Sequence, residues 1–246
     1  MTGAAEILVT LAGALVLAGA HLAAAVLRPE QRLNQRDWRS FAGGIGCGYV
    51  FLFILPELAA QQASRAEGAE LNAHEREVFL TALCGLAAYY GLDSLTRAAD
   101  GGFRFAGRRL AAPGFWLHMV GFGIYNAIVG YVLGQRQQIA VVEVTVYASA
   151  LALHFFVNDQ DLRARHGVLY DRCGRWALSA AVLVGWAAGV MISEASTVTP
   201  MIFAFLAGGM VLNILKQELP PENQSRFGAF ALGLLVFGLF SLAQAA

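Results

Sequence analysis

Charge is the first thing this sequence is short of. Of its 246 residues, 14% are Asp, Glu, Lys or Arg, 57% are hydrophobic, and mean hydropathy is +0.56. Soluble domains carry about 25% charged residues, so the composition excludes an ordinary soluble fold and points to a polytopic membrane protein. Net charge is also missing. Lys+Arg and Asp+Glu are equal at 17 each, so there is no basic field to attract nucleic acid. Cysteine is scarce: Cys47, Cys84 and Cys173 are odd in number and lack C-x-x-C or Cys/His spacing. That argues against a disulfide framework or zinc ribbon and leaves the three as small packing residues. Catalytic signatures are absent too, with no G-x-S-x-G, no H-E-x-x-H and no glycine-rich phosphate loop. No paired aspartates or Ser/His pair suggests intramembrane proteolysis, and the spacing of His118 and His154 does not select haem. No enzymatic activity is expected. A cleavable leader is not expected either. Ala18-Gly-Ala20 looks like a cleavage site, but the apolar run begins beside Glu6 with nothing basic before it, and arginines follow.

What the chain does have is apolar runs. About 20 mostly apolar residues cross a hydrocarbon core of about 30 Å. That length predicts eight spans in one all-α transmembrane domain over residues 1–246: about 4–27, 40–58, 77–96, 113–134, 139–158, 174–194, 198–217 and 227–244. Basic residues then set orientation. Arg28, Arg32, Arg36 and Arg39 follow span one, and Arg97, Arg104, Arg108 and Arg109 follow span three. Arg163, Arg165, Arg172 and Arg175 follow span five, and Lys216 and Arg226 flank the last loop on that side. Only Arg65, Arg76 and Arg136 remain for the other side, so the positive-inside rule puts both termini outside the cytoplasm. The acidic loop 61–77, with Glu67, Glu70, Glu75 and Glu77, then falls outside as a solvated connector. Trp38, Trp116, Trp176 and Trp186 lie mostly near span ends, as interfacial anchors do.

One pattern recurs. Phe41-Ala-Gly43-Gly44 leads through span two to Leu55-Pro56-Glu57, and Leu206-Ala-Gly208-Gly209 leads through span seven to Leu219-Pro220-Pro221-Glu222. Aligned on Leu-Pro, the Gly-Gly pairs are one residue out of phase. Spans two and seven run in opposite directions, so the echo predicts an inverted repeat of spans one to three against six to eight, with four and five between. The competing reading is that small-residue pairs recur in any helix bundle.

Most of the polar groups in the middle of the chain fall on spans four and five: His118, Tyr125, Asn126, His154, Asn158 and Asp159. Ionisable and amide side chains inside a bilayer default to a functional site. Residues four apart share a helix face, which pairs Asn126 with Gly130 and His154 with Asn158. Structural readings stand beside the functional one. His118, His154, Tyr125 and Asn126 suit interhelical hydrogen bonding, Glu143 reaches toward the headgroups, and His21 packs as a satisfied core residue. Asp159 and Asp161 begin an inner loop where Arg163, Arg165 and Arg172 offer ion pairs.

At these residues the chain resembles the ZIP (Zrt/Irt-like) family of divalent metal transporters. Ser40 to Glu57 looks like that family's second span and Phe205 to Pro220 like its seventh. The resemblance implies eight spans, termini outside and a 3+2+3 inverted repeat. It also implies metal ligands on spans four and five, and there the chain departs. Tyr125 and Val129 stand where the family has His and a carboxylate, although Asn126 and Gly130 are kept. His154 survives, while Phe155 and Asn158 replace its neighbouring ligands, and Phe53 replaces the family's span-two His. Zinc-type ions favour His, Cys and carboxylate donors, and Asp159 is the only anion nearby. A two-metal site is therefore not expected; His154 and Asn126 are the metal ligands that remain, for a divalent cation if any. Lys216 pairs with Glu218 or with a facing carboxylate. Two functions follow: a secondary transporter of a metal ion or small solute with an altered central site, or a non-transporting accessory subunit of a membrane complex. The partners expected are the lipid bilayer and a second copy or a complex partner, in a bacterial inner membrane.

Overall fold

The computed structural model describes residues 3–27, 34–66, 76–102, 104–105, 108–109, 112–135, 141–192, 198–218 and 225–245. Arg28, Arg32, Glu67, Glu70, Glu75, Arg136 and the Leu219-Pro220 pair lie outside the described residues, as do the side chains of Arg65, Arg97, Arg104, Arg108, Arg109, Glu143 and Glu218. The fold is all-α, with eight helices among the described residues. They are α1 (Gly3–Val26), α2 (Gln35–Tyr49, running through a π turn Val50–Ile54 into Leu55–Ala66), α3 (Glu77–Gly102) and α4 (Ala112–Gln135). The chain continues with α5 (Val141–His166), α6 (a π turn Tyr170–Gly174, then Arg175–Met191), α7 (Val198–Asn213, then a π turn Ile214–Glu218) and α8 (Phe227–Ala245). A two-residue antiparallel ribbon, Arg104–Phe105 on Arg108–Arg109, lies between α3 and α4.

Six of the helices are long and apolar enough to cross a bilayer, α8 holds a shorter apolar run, and α5 is 26 residues long. Leu8, Leu15, Val120, Ile124, Val184, Leu235 and Leu239 are each more than half exposed. An apolar exterior of this kind suits acyl chains, and the protein is a multi-pass membrane protein embedded in lipid.

Lipid is as apolar as leucine, so close backbone approach at small residues holds such helices together. α4 and α6 show this most fully: a Cβ on Gly130 or Gly134 would run into the carbonyls of Val182 or Trp186, and one on Gly185 or Gly189 into those of Ala127 or Tyr131. Gly130 thus has a packing role. The same device joins α2 to α8, where Gly44 meets the Phe230 carbonyl and Gly233 that of Phe41. It joins α3 to α7, where Gly208 meets the Ala82 carbonyl and Gly85 that of Phe205.

These pairings have a common pattern. Contacts of α1 with α5, α2 with α8, α2 with α5 and α3 with α4 are matched by contacts of α6 with α4, α7 with α3, α7 with α4 and α8 with α5. Exchanging α1 with α6, α2 with α7, α3 with α8 and α4 with α5 turns the first set into the second. One register fits all of α2 and α7: Phe41 with Phe205, Gly44 with Gly208, and the π turn Val50–Ile54 with Ile214–Glu218. The same register puts Leu55-Pro56 on Leu219-Pro220 in the sequence. The one-residue mismatch of the Gly-Gly pairs disappears, because Gly44 corresponds to Gly208 while Gly209 falls beside it.

Some boundaries differ from expectation. α2 runs to Ala66 and α3 to Gly102, and α5 continues to His166. Asp159 and Asp161 therefore lie inside a helix, not in an inner loop. A span measured by apolarity stops at its first charge, whereas a helix continues when that charge has a partner. The link from α5 to α6 shrinks to a turn at Gly167, whose φ of 52° is left-handed and whose N–H donates to the Arg163 carbonyl at 2.8 Å; a glycine tolerates that backbone without strain. Cys47 is buried as a packing residue, but Cys84 and Cys173 are exposed.

Candidate functional site

Alternation along α5 sorts its polar residues between two faces. Leu151, Phe155 and Asp159 recur every four residues and are fully or almost fully buried, forming the stripe that meets α1. α1 offers small residues there, Ala14, Ala20 and Ala24, all buried, and this brings His21 onto α5. The His21 ring stacks on Phe155 with centroids 4.8 Å apart.

His21 joins three helices. Its Nδ1 lies 2.6 Å from Asp159 Oδ2 on α5, and its Nε2 lies 2.8 Å from Asn126 Oδ1 on α4. The Asn126 amide nitrogen donates to the Phe122 carbonyl at 2.7 Å. A carbonyl only accepts, so the amide nitrogen must face it and the amide oxygen must face His21. Nε2 therefore carries a proton and donates to Asn126. Nδ1 meets a carboxylate oxygen, and one proton is shared between them. Whether it rests on the imidazole or the carboxyl, the pair is neutral overall, which is the arrangement a dry interior tolerates. Exposure is 1% for His21, 0% for Asp159 and 1% for Asn126, so water does not screen the pair. Asp159 Oδ1 and the Tyr170 hydroxyl are both buried without a hydrogen-bond partner among the described residues, and the two are close enough for Asp159 to act on the phenol.

The neighbouring α5 face carries His154 and Asn158. His154 looks onto α2 and α7, in a small crevice with Ala42, Gly46, Tyr49 and Ile214, and its ring lies 6.4 Å from that of Tyr125. Asn158 lines a second crevice with Asp93, His118, Asp161 and Arg165. His118 Nδ1 is 2.8 Å from His166 Nε2. Asp93 on α3 accepts from Lys216 Nζ at 2.7 Å, and Lys216 lies 4.7 Å over the Tyr90 ring. The facing carboxylate expected for Lys216 is thus Asp93.

The six candidate residues do not converge on one point. Asn126 and Asp159 meet through His21, Tyr125 and His154 are neighbours, and Asn158 and His118 share the second crevice. Among the described residues no group of three or more His, Cys, Asp or Glu is placed to hold a metal ion. Asp159 does not pair with Arg163, Arg165 or Arg172 as a solvated network would. Arg163 instead donates to Asp171 at 3.1 Å, and Arg39 donates to Asp161 at 2.6 Å. His21 is a satisfied core histidine, as its sequence context suggests, but it sits between Asp159 and Asn126, and Asp93 is a second buried carboxylate beside the candidate residues. Both lie within apolar runs, where any ionisable residue marks a site. No protein-family model matches the chain, and no curated protein matches it.

Proposed function

We propose that this protein is an eight-span, ZIP-like secondary transporter whose central site takes a metal ion or other small cationic solute at Asp159. The carrying observation is the buried His21–Asp159–Asn126 triad, an ionisable pair and an amide shared by the first span and the central pair. Support for the fold comes from the exchange of helix contacts and the single register of α2 and α7, patterns an inverted repeat produces. The basic turns then face the cytoplasm of a bacterial inner membrane, with both termini outside.

Asp159 is the anion an incoming cation must meet. Its Oδ2 is already engaged by His21, while Oδ1 accepts no hydrogen bond among the described residues, so imidazole and cation compete for one carboxylate. The Tyr170 hydroxyl, beside Asp159, supplies a further neutral donor. The competition makes a test. In proteoliposomes screened for uptake of divalent and monovalent cations, Asp159→Asn abolishes flux, whereas His21→Ala lowers the apparent KM for the cation. Flux equal to that of empty vesicles for every ion would remove the reading.

One observation favours a second reading, an accessory subunit of a membrane complex. His21 and Asn126 are fully engaged with protein partners, as groups in a structural clamp would be. On that reading Asp159→Asn lowers thermal stability and leaves no transport to lose.

A further inference from the structure

We infer that the face formed by α3, α4 and α7 holds one phospholipid with an anionic headgroup. A groove of about 270 Å³ runs between these helices, lined by Gly85, Gly121, Ile124, Ile128, Phe205 and Gly209 among others, nearly all apolar. It opens on the outside of the bundle, because its wall residues Val120 and Ile124 are 57% and 58% exposed. Gly85 and Gly121 bring the helices close at its base, where they meet Phe205 and Leu92, and an acyl chain can lie along the apolar walls formed by Ile124 and Ile128. Unfilled, such a groove forfeits dispersion contacts along its whole lining.

The headgroup chemistry comes from the groove's end. Tyr89 and Leu92 line both the groove and the crevice that holds Asp93, His118 and Arg165, so the apolar groove ends beside a polar mouth. Charge at the mouth is unevenly matched. Asp93 is taken by Lys216 and Asp161 by Arg39, and among the described residues no carboxylate pairs with Arg165, which is exposed. A guanidinium with open donors suits a phosphate, which it can bind through two parallel N–H bonds. Apolar channel and cation together describe a phospholipid, with the net charge of Arg165 selecting an anionic headgroup over a zwitterionic one. The mouth lies at the end of the bundle that carries the basic turns, where anionic lipid gathers.

The test is native mass spectrometry of the full chain, released from vesicles containing equal amounts of phosphatidylglycerol and phosphatidylcholine. The expected result is one retained lipid, mainly phosphatidylglycerol. Arg165→Gln reduces that preference by about fivefold, the effect of one basic residue at an anionic surface, and Arg172→Gln, at an exposed arginine outside both cavities, leaves it unchanged. Gly209→Leu fills the groove and removes retention of either lipid. Equal retention of the two lipids by the unaltered protein, no retained lipid, or a preference that survives Arg165→Gln would each overturn the inference.

Discussion

Asp159 is an ionisable group where a charge is most costly, and the proton it shares with His21 keeps the pair neutral. Removing one member of a buried pair leaves the other uncompensated, a loss of about 3–5 kcal/mol. His21→Leu and Asp159→Leu should each lower the unfolding temperature in detergent sharply. The double variant should be less destabilised than the sum of the two, because neither charge then remains unpaired. Additive losses in that cycle would show that the two residues are not coupled. A milder outcome is expected at Ser179, whose hydroxyl donates to the Ala18 carbonyl at 2.9 Å between α6 and α1. Ser179→Ala should cost about 0.6–1.7 kcal/mol, the range for interhelical hydrogen bonds in membranes. At this scale sequence identified most of the chemistry. Asn126, His154 and Asp159 stand out in the sequence as polar residues within or beside apolar runs, and the lone His21 on its apolar run suits a satisfied core residue. What it did not supply was their partners.

Glycine contacts fix the helix pairs, and they do so in matched sets. Gly85 and Gly233 hold corresponding positions on α3 and α8, each against a backbone carbonyl of its partner helix. Gly85→Ala and Gly233→Ala should therefore destabilise by similar amounts, about 1–3 kcal/mol for forced overpacking. Gly123→Ala should be neutral, since nothing lies within 4 Å of its Cβ position. A large cost at only one of the paired sites would break the correspondence. The π turns are paired as well. Each is an α-helix with one residue too many, so deleting exposed Leu52 should restore a plain helix and keep both flanks of α2 facing as before. Deleting Ile45 should unfold the protein, because it rotates Gly44 and Gly48 away from each other's partners by about 100° per residue of a 3.6-residue turn. Size-exclusion profiles of the two deletions separate these outcomes. The repeated Phe, Gly and Leu-Pro positions were legible in sequence, but the register was off by one at the glycines. Two adjacent glycines look alike in a sequence, and only the neighbouring carbonyl shows which of them is needed.

For the whole molecule, the described ion pairs Arg39–Asp161, Arg163–Asp171 and Lys216–Asp93 lie at helix ends that lead to the basic turns, and apolar side chains cover the sides of the bundle. Tags fused to the two termini should be digested from the same side of sealed vesicles, and a cysteine at Arg172 should be labelled from the other. Termini on opposite sides would contradict an even number of crossings. The amino-acid sequence alone determined that the chain is a membrane protein, that it is helical, roughly where the helices lie and which of them echo each other. These follow from hydropathy and local spacing, which any window of about 20 residues contains. Only the tertiary structure decided that His21 closes the site, 138 residues from Asp159 and 105 from Asn126, and that Lys216 belongs to Asp93. Periodicity shows which face of a helix is polar. It does not show which other helix that face will meet, because packing of small residues along the whole length of each pair sets that choice.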